Sequence, residues 1–93
     1  MKEPDAEHRD VRQTVREFIL KELLPEEDPS HLSDTTHLIS GGILDSISLI
    51  RLVTHLEHVF EITLEQRVVT VKHMDTIESI TRLVAEKLGI EST

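Results

Sequence analysis

The sequence has no cysteine, no tryptophan and no tyrosine, and only two of its 93 residues are phenylalanine. Without cysteine the chain can form neither disulfides nor thiolate metal sites, which favours a cytoplasmic location. No apolar run approaches the ~18 residues of a membrane span. The polar start, MKEPDAEHRD, lacks the apolar core of a secretory signal. We therefore expect a cytoplasmic protein without a membrane span.

Basic residues are also scarce: 10 lysines and arginines stand against 18 acids, which gives a formal net charge of −8. An acidic chain repels phosphate backbones and anionic lipids, so nucleic acid is not an expected partner and basic protein surfaces are better candidates. A hydrophobic share of 38% and a charged share of 30% are typical of a globular protein. The length suits one core, and we expect a single monomeric domain over residues 1–93.

Apolar residues recur at helical spacing and predict an all-α fold, a small four-helix bundle with three long helices and one short one. The long helices are expected at about 5–24, 46–60 and 76–88, and the short one at 65–72. This valine-rich short segment would also suit a strand, but nothing else in the chain offers it a partner. A long loop, 25–45, separates the first two helices.

Several residues mark the expected helix ends. Asp5 is the expected N-cap of the first helix, and Pro25 ends that helix because a proline disfavours helical geometry in the residue before it. Asp75 and Glu78 form a capping-box-like pair at the start of the last helix. Gly89 suits the C-terminal end of the same helix.

One apolar stripe on each long helix should face the core. Apolar residues in the long loop should tie that loop to the same core. The expected core residues are Val11, Val15, Phe18, Ile19, Leu32, Leu38, Ile39, Ile43, Leu44, Leu49, Leu52, Val53, Leu56, Val59, Phe60, Ile77, Ile80, Leu83, Val84 and Leu88.

The second helix also has apolar residues on the side away from the core. Ile47 and Ile50 lie one turn apart there, with Arg51, Thr54 and His58 around them. Single exposed apolar residues are common, but a pair beside an exposed serine indicates a docking surface. We interpret these five residues as a partner-binding face.

The stretch GGILDSISLI, residues 41–50, leads into the second helix. Asp45 is the expected N-cap, accepting a backbone N–H of the first turn. Ser46 is then the first helical residue, with its hydroxyl pointing outward. The positive end of the helix dipole favours a phosphate group attached there. Because Asp and Ser are both common at helix starts, this pair alone is a weak signal.

A catalytic role for Ser46 is disfavoured, because the G-x-S-x-G pattern and a preceding strand are both missing and Asp45 is occupied as a cap. His55 and His58 lie three residues apart on one helix, but two ligands fall short of the four in a structural zinc site. We therefore expect neither an enzyme nor a metal site.

The segment GGILDSISLIRLVTHLEHVFEITL resembles the central motif of acyl carrier proteins, the phosphopantetheine-binding domains. Asp45, Ser46 and Ile47 match the Asp-Ser-Leu motif that opens the second helix in that family. Phe60 and the segment 62–64 match the aromatic residue and the short I-x-[IVL] stretch that close it. MDTIESI looks like the family's entry into its last helix, and a long first loop is also a family feature.

This resemblance implies that a phosphopantetheinyl transferase attaches 4′-phosphopantetheine to Ser46, and that the thiol of this arm holds an acyl or aminoacyl group as a thioester. The chain would be a carrier and phosphoprotein in lipid or secondary-metabolite biosynthesis. Its other partners would be an acyl- or aminoacyl-activating ligase and a downstream acyltransferase or synthase. If cargo folds back into the core, the expected lining residues are Val53, Leu56, Ile62 and Val68.

The outer side of the second helix departs from the carriers of fatty-acid synthesis, which commonly present several carboxylates there. Here Ser48, Arg51, His55 and His58 accompany a single acid, Glu57. An enzyme that binds acidic carriers has a basic docking surface, and the positive charge of Arg51 would repel such a surface. We expect a specialised free-standing carrier with a dedicated ligase. Two alternatives stay open: an aminoacyl or D-alanyl carrier, and an unmodified module of the same fold that docks a partner helix.

Overall fold

The computed structural model describes residues 4–89, with side chains from residue 10 onward. Within this range it contains helices and turns but no strand, which confirms the predicted all-α bundle of three long helices and one short one. None of these helices is long and apolar enough to cross a membrane. The helices are α1 (Pro4–Phe18), which continues as a π-helical turn (Ile19–Leu23), α2 (Ser46–Phe60), α3 (Val71–Met74) and α4 (Ile77–Leu88), with 3-10 turns at Pro29–His31 and Gln66–Val68.

The first helix begins at Pro4, so Asp5 lies inside it and the predicted N-cap is wrong. Proline suits the first helical position, because its φ is already helical and an N–H there would have no intrahelical partner. At the other end, the π-helical turn stops at Leu24, whose φ of −132° and ψ of 58° are not helical. Pro25 follows directly, and the restriction that it places on Leu24 explains this end.

One hydrophobic core joins α1, α2 and α4, and the long loop contributes to it. Burying one of its aliphatic side chains stabilises the fold by about 1.5–3 kcal/mol relative to leaving it exposed. Three predicted core residues are instead exposed: Val59 by 43%, Ile43 by 38% and Leu88 by 38%. The largest fully buried side chains are Val11, Val15, Ile19, Leu32, Leu38, Leu52, Leu56, Met74, Ile77, Ile80 and Val84.

The start of α4 differs from the predicted capping pair of Asp75 and Glu78. Thr76 is the N-cap: its hydroxyl accepts the backbone N–H of Ser79 at 3.0 Å, and the Ser79 hydroxyl accepts the backbone N–H of Thr76 at 3.2 Å. This is a capping box shifted by one residue, with serine where glutamate or glutamine is usual. Glu78 is exposed and pairs with Arg82.

Asp75 instead holds the long loop against the start of α4. Its carboxylate accepts the backbone N–H of Ile39 at 2.8 Å, the backbone N–H of Ser40 at 2.9 Å and the Ser40 hydroxyl at 2.7 Å. Nδ1 of His37 lies 3.0 Å from the same carboxylate, and the Asp75 carbonyl accepts the N–H of Leu38 at 2.6 Å. We call this set of contacts the Asp75 clasp. It fixes the segment that precedes the start of α2.

The segment after α2 is irregular, and Glu57 shapes its beginning. Glu61 ends α2 in the left-handed region with φ 52°. The Glu57 carboxylate accepts the backbone N–H of Leu64 at 2.9 Å, and the Glu57 carbonyl accepts that of Ile62 at 3.2 Å. The turn is therefore folded back on the last turns of α2, which buries Leu64.

Candidate functional site

The site begins at the residue that caps α2. Asp45 has an extended backbone, and its carboxylate accepts the N–H of Ser48 at 2.8 Å. Its carbonyl accepts the N–H of Leu49 at 3.0 Å, the first bond of the helix. The bond from the Ser48 N–H is the main cause that lowers the pKa of Asp45, so the cap stays ionised. The structure therefore has Asp45 as the N-cap and Ser46 as the first residue of α2.

Ser46 presents a free hydroxyl at this helix end. The residue is exposed, and its hydroxyl makes no hydrogen bond to any group that the structure describes. The N–H groups of a first helical turn carry a partial positive charge, which suits a negatively charged phosphodiester on this oxygen.

Two glycines shape the approach to Ser46. A side chain at Gly41 would collide with the backbone carbonyl oxygen of His37, and Gly42 has a φ of 75°, which glycine adopts at little cost. The N–H groups of Ile43 and Leu44 both bond to the carbonyl of Leu38, at 2.9 Å and 2.8 Å. This tight turn connects the Asp75 clasp to the start of α2. Sequence reasoning missed Asp75 and His37 as supports of the site. The adjacent Gly41 and Gly42 are a feature of the sequence that indicates a special turn there.

The structure leaves all five predicted partner-binding residues exposed on α2. Ile47 is 70% exposed and Ile50 is 63% exposed. Arg51 has no ion pair or hydrogen bond from its side chain in the part of the chain that the structure describes. We call Ile47, Ile50, Arg51, Thr54 and His58 the α2 outer face.

His55 lies apart from this face, which differs from the sequence interpretation. Its ring stacks on Phe18 of α1, with ring centroids 4.0 Å apart and the planes 15° from parallel. Burial lowers the pKa of His55, the charge of His58 lowers it further, and Glu22 acts in the opposite direction. His55 is therefore part of the α1–α2 packing. Among the side chains of residues 10–89, no group of three or more metal-ligating residues is close enough to hold a metal ion.

The proposed cargo-lining residues lie at the core side of α2 and the segment after it. Leu56 is fully buried, while Val53, Ile62 and Val68 are half-buried and pack against the core. Their burial does not test whether they line a space for cargo, so this role stays a prediction.

Replacing Asp45 by alanine should loosen the start of α2, because the N–H of Ser48 loses its acceptor. We expect the melting temperature at pH 7, followed by circular dichroism, to fall by about 5 °C. Asp45→Asn is the matched control, since the asparagine side-chain oxygen can accept the same bond and should restore most of the loss. An Asp45→Ala protein that melts like the wild type would show that the cap contributes nothing.

Comparison with known proteins adds one finding. The sequence profile of a family described as "Phosphopantetheine attachment site" matches residues 13–84. This range includes the C-terminal part of α1 with its π-helical turn, the whole of α2 and α3, and α4 as far as Val84. No curated protein sequence gives a significant match to the chain.

Proposed function

The chain belongs to the phosphopantetheine-attachment family, and from this membership we propose that Ser46 is the residue that carries its 4′-phosphopantetheine. The observation that carries the proposal is the exposed, unbonded hydroxyl of Ser46 at the first position of α2. It lies inside the matched range, directly after the capping Asp45. An oxygen in this position can be reached by a second enzyme without unfolding any part of the helix.

The attachment step uses the Ser46 oxygen as the nucleophile and leaves the catalysis to a separate transferase. The oxygen attacks the phosphorus that links the pantetheine part of coenzyme A to the rest of the molecule, and adenosine 3′,5′-bisphosphate leaves. A base of the transferase removes the hydroxyl proton, because no side chain of residues 10–89 is hydrogen-bonded to this hydroxyl. The N–H groups at the start of α2 stabilise the phosphodiester anion that results.

The prosthetic group supplies a thiol that holds cargo as a thioester, which a chain without cysteine cannot do with its own side chains. We propose that the domain presents this arm and carries out no chemistry itself. The cargo is an acyl or aminoacyl group, D-alanine included, loaded by an activating ligase and passed to an acyltransferase or synthase. The absence of cysteine supports work in the cytoplasm as part of the same proposal.

The α2 outer face favours a second candidate, an unmodified module that docks a partner helix. Ile47 and Ile50 are more exposed than the other large apolar side chains of the described range. Such a module would use the same two side chains as anchors but would not need the hydroxyl of Ser46.

Intact-mass measurement separates the two candidates. The purified protein is incubated with coenzyme A and a broad-specificity phosphopantetheinyl transferase, beside a known carrier protein as the positive control. We expect the mass to rise by one phosphopantetheine, and fragmentation to place the added group on Ser46. If the control is modified and this protein is not, the unmodified docking module becomes the better account.

A further inference from the structure

The α2 outer face is basic and apolar, in a chain whose formal net charge is −8. Its fixed cation is Arg51, whose side chain is exposed. The largely exposed Ile47 and Ile50 share the face with it. The face therefore has a local charge opposite in sign to that of the whole chain, and this difference points to a particular partner chemistry.

Arg51 differs from the other arginines of the protein. The structure describes five arginine side chains, and Arg51 alone among them has no carboxylate partner. Arg51 stays unpaired in the described part of the chain although acidic residues outnumber basic residues in the sequence. The other four pair as follows: Arg12 and Arg16 with Asp34, Arg67 with Glu65, and Arg82 with Glu78.

The acids of α2 and of its cap are already used by backbone groups. The Asp45 carboxylate accepts the N–H of Ser48, and the Glu57 carboxylate accepts the N–H of Leu64. The next acid along the chain is Glu61, which ends α2 ten residues after Arg51, about 15 Å along the axis. None of these carboxylates forms an ion pair with Arg51.

On the basis of the proposed function, we infer that the enzyme that loads cargo onto the arm docks on the α2 outer face through an acidic surface. Its contact region has an apolar recess for Ile47 and Ile50, and a carboxylate on the rim of this recess pairs with Arg51. The attachment point, Ser46, is one residue before Ile47, so an enzyme seated there has its active-site entrance next to the arm.

Charge complementarity decides between an acidic and a basic partner. A basic surface would place a cation against Arg51, and like charges in a contact oppose binding. Within the α2 outer face the fixed charge is that of Arg51, and it favours a carboxylate opposite it in the contact.

The test compares the loading rates of three variants. Arg51→Glu reverses the charge, Arg51→Lys keeps it, and Lys72→Glu makes the same reversal at an exposed lysine of α3 that has no ion pair in the described range. Each protein is first converted to the arm-bearing form and checked by intact mass. It is then incubated with ATP and an extract of its native cell that retains its small molecules, so that the extract supplies both the loading enzyme and the cargo. The initial rate of cargo attachment is measured by intact mass.

We expect Arg51→Glu to lower the initial loading rate by about tenfold or more, with Arg51→Lys and Lys72→Glu remaining within about twofold of the wild type. A rate for Arg51→Glu that equals or exceeds the wild-type rate would overturn the acidic partner, and so would an arm-bearing wild type that the extract fails to load. A wild type that never gains the arm contradicts the proposed function instead, so the two failures are distinguishable.

Discussion

A Ser46→Ala protein is expected to gain no mass from coenzyme A and a phosphopantetheinyl transferase, a complete loss of modification. The reason is chemical: alanine has no oxygen to form the phosphodiester. The fold should be unaffected, because the Ser46 hydroxyl makes no hydrogen bond in the described range. We therefore expect the melting temperature to stay within about 3 °C of that of the wild type. Intact mass and circular dichroism on the same sample measure both quantities.

The matched control for this result is Ser48→Ala. Ser48 lies in the same first turn of α2. It donates its backbone N–H to the Asp45 carboxylate, and alanine at this position retains that N–H. Ser48→Ala should accept one phosphopantetheine as the wild type does. If Ser46→Ala still gains the group, the attachment point is another hydroxyl, and the role assigned to the start of α2 is wrong.

The start of α2 was predictable because its signals are local. Asp45 and Ser46 act within one helical turn of each other, so the identity of the capping residue follows from a few neighbouring letters. The all-α class follows in the same way from apolar spacing along each helix. The exposure of Ile47 and Ile50 also follows from the α2 wheel alone.

The environments of Asp75 and His55 depend on distant parts of the chain. Asp75 and Thr76 are both good N-cap residues, and the pattern before α4 does not say which one caps it. The backbone N–H groups of Ile39 and Ser40, 36 and 35 residues away along the chain, donate to the Asp75 carboxylate. This carboxylate is therefore used by the loop, and Thr76 caps α4. The wheel of α2 likewise contains no information about Phe18, the α1 residue on which His55 stacks.

Asp75→Asn is expected to lower the melting temperature at pH 7 by roughly 5–15 °C. The asparagine oxygen can still accept some of the loop N–H groups, but its NH₂ group cannot accept a bond, and the negative charge is lost. Asp75 is only 14% exposed, so water does not fully replace the missing acceptor. The loop between His37 and Ser40 should loosen first, and hydrogen exchange of its amides would detect this.

Glu86→Gln is the control for the loss of one negative charge, which Asp75→Asn also causes. Glu86 is exposed on α4 and has no ion pair in the described range, so its replacement removes one negative charge without breaking a contact. Relief of self-repulsion in this acidic chain should leave its stability unchanged or slightly higher. If Asp75→Asn melts like Glu86→Gln, the Asp75 clasp does not stabilise the fold.

The pH dependence gives a second measure of the Asp75 clasp. The hydrogen bonds from the N–H and hydroxyl of Ser40 are the largest causes that lower the pKa of Asp75, followed by the contacts of His37 and Ile39. A carboxyl with a lowered pKa in the fold stabilises it fully above its unfolded pKa, about 3.9, and this contribution is lost as the pH falls below that value. The difference in melting temperature between the wild type and Asp75→Asn should therefore persist down to about pH 5 and shrink below about pH 4. Equal differences at pH 7 and pH 3 would mean that the ionised carboxylate is not what holds the loop.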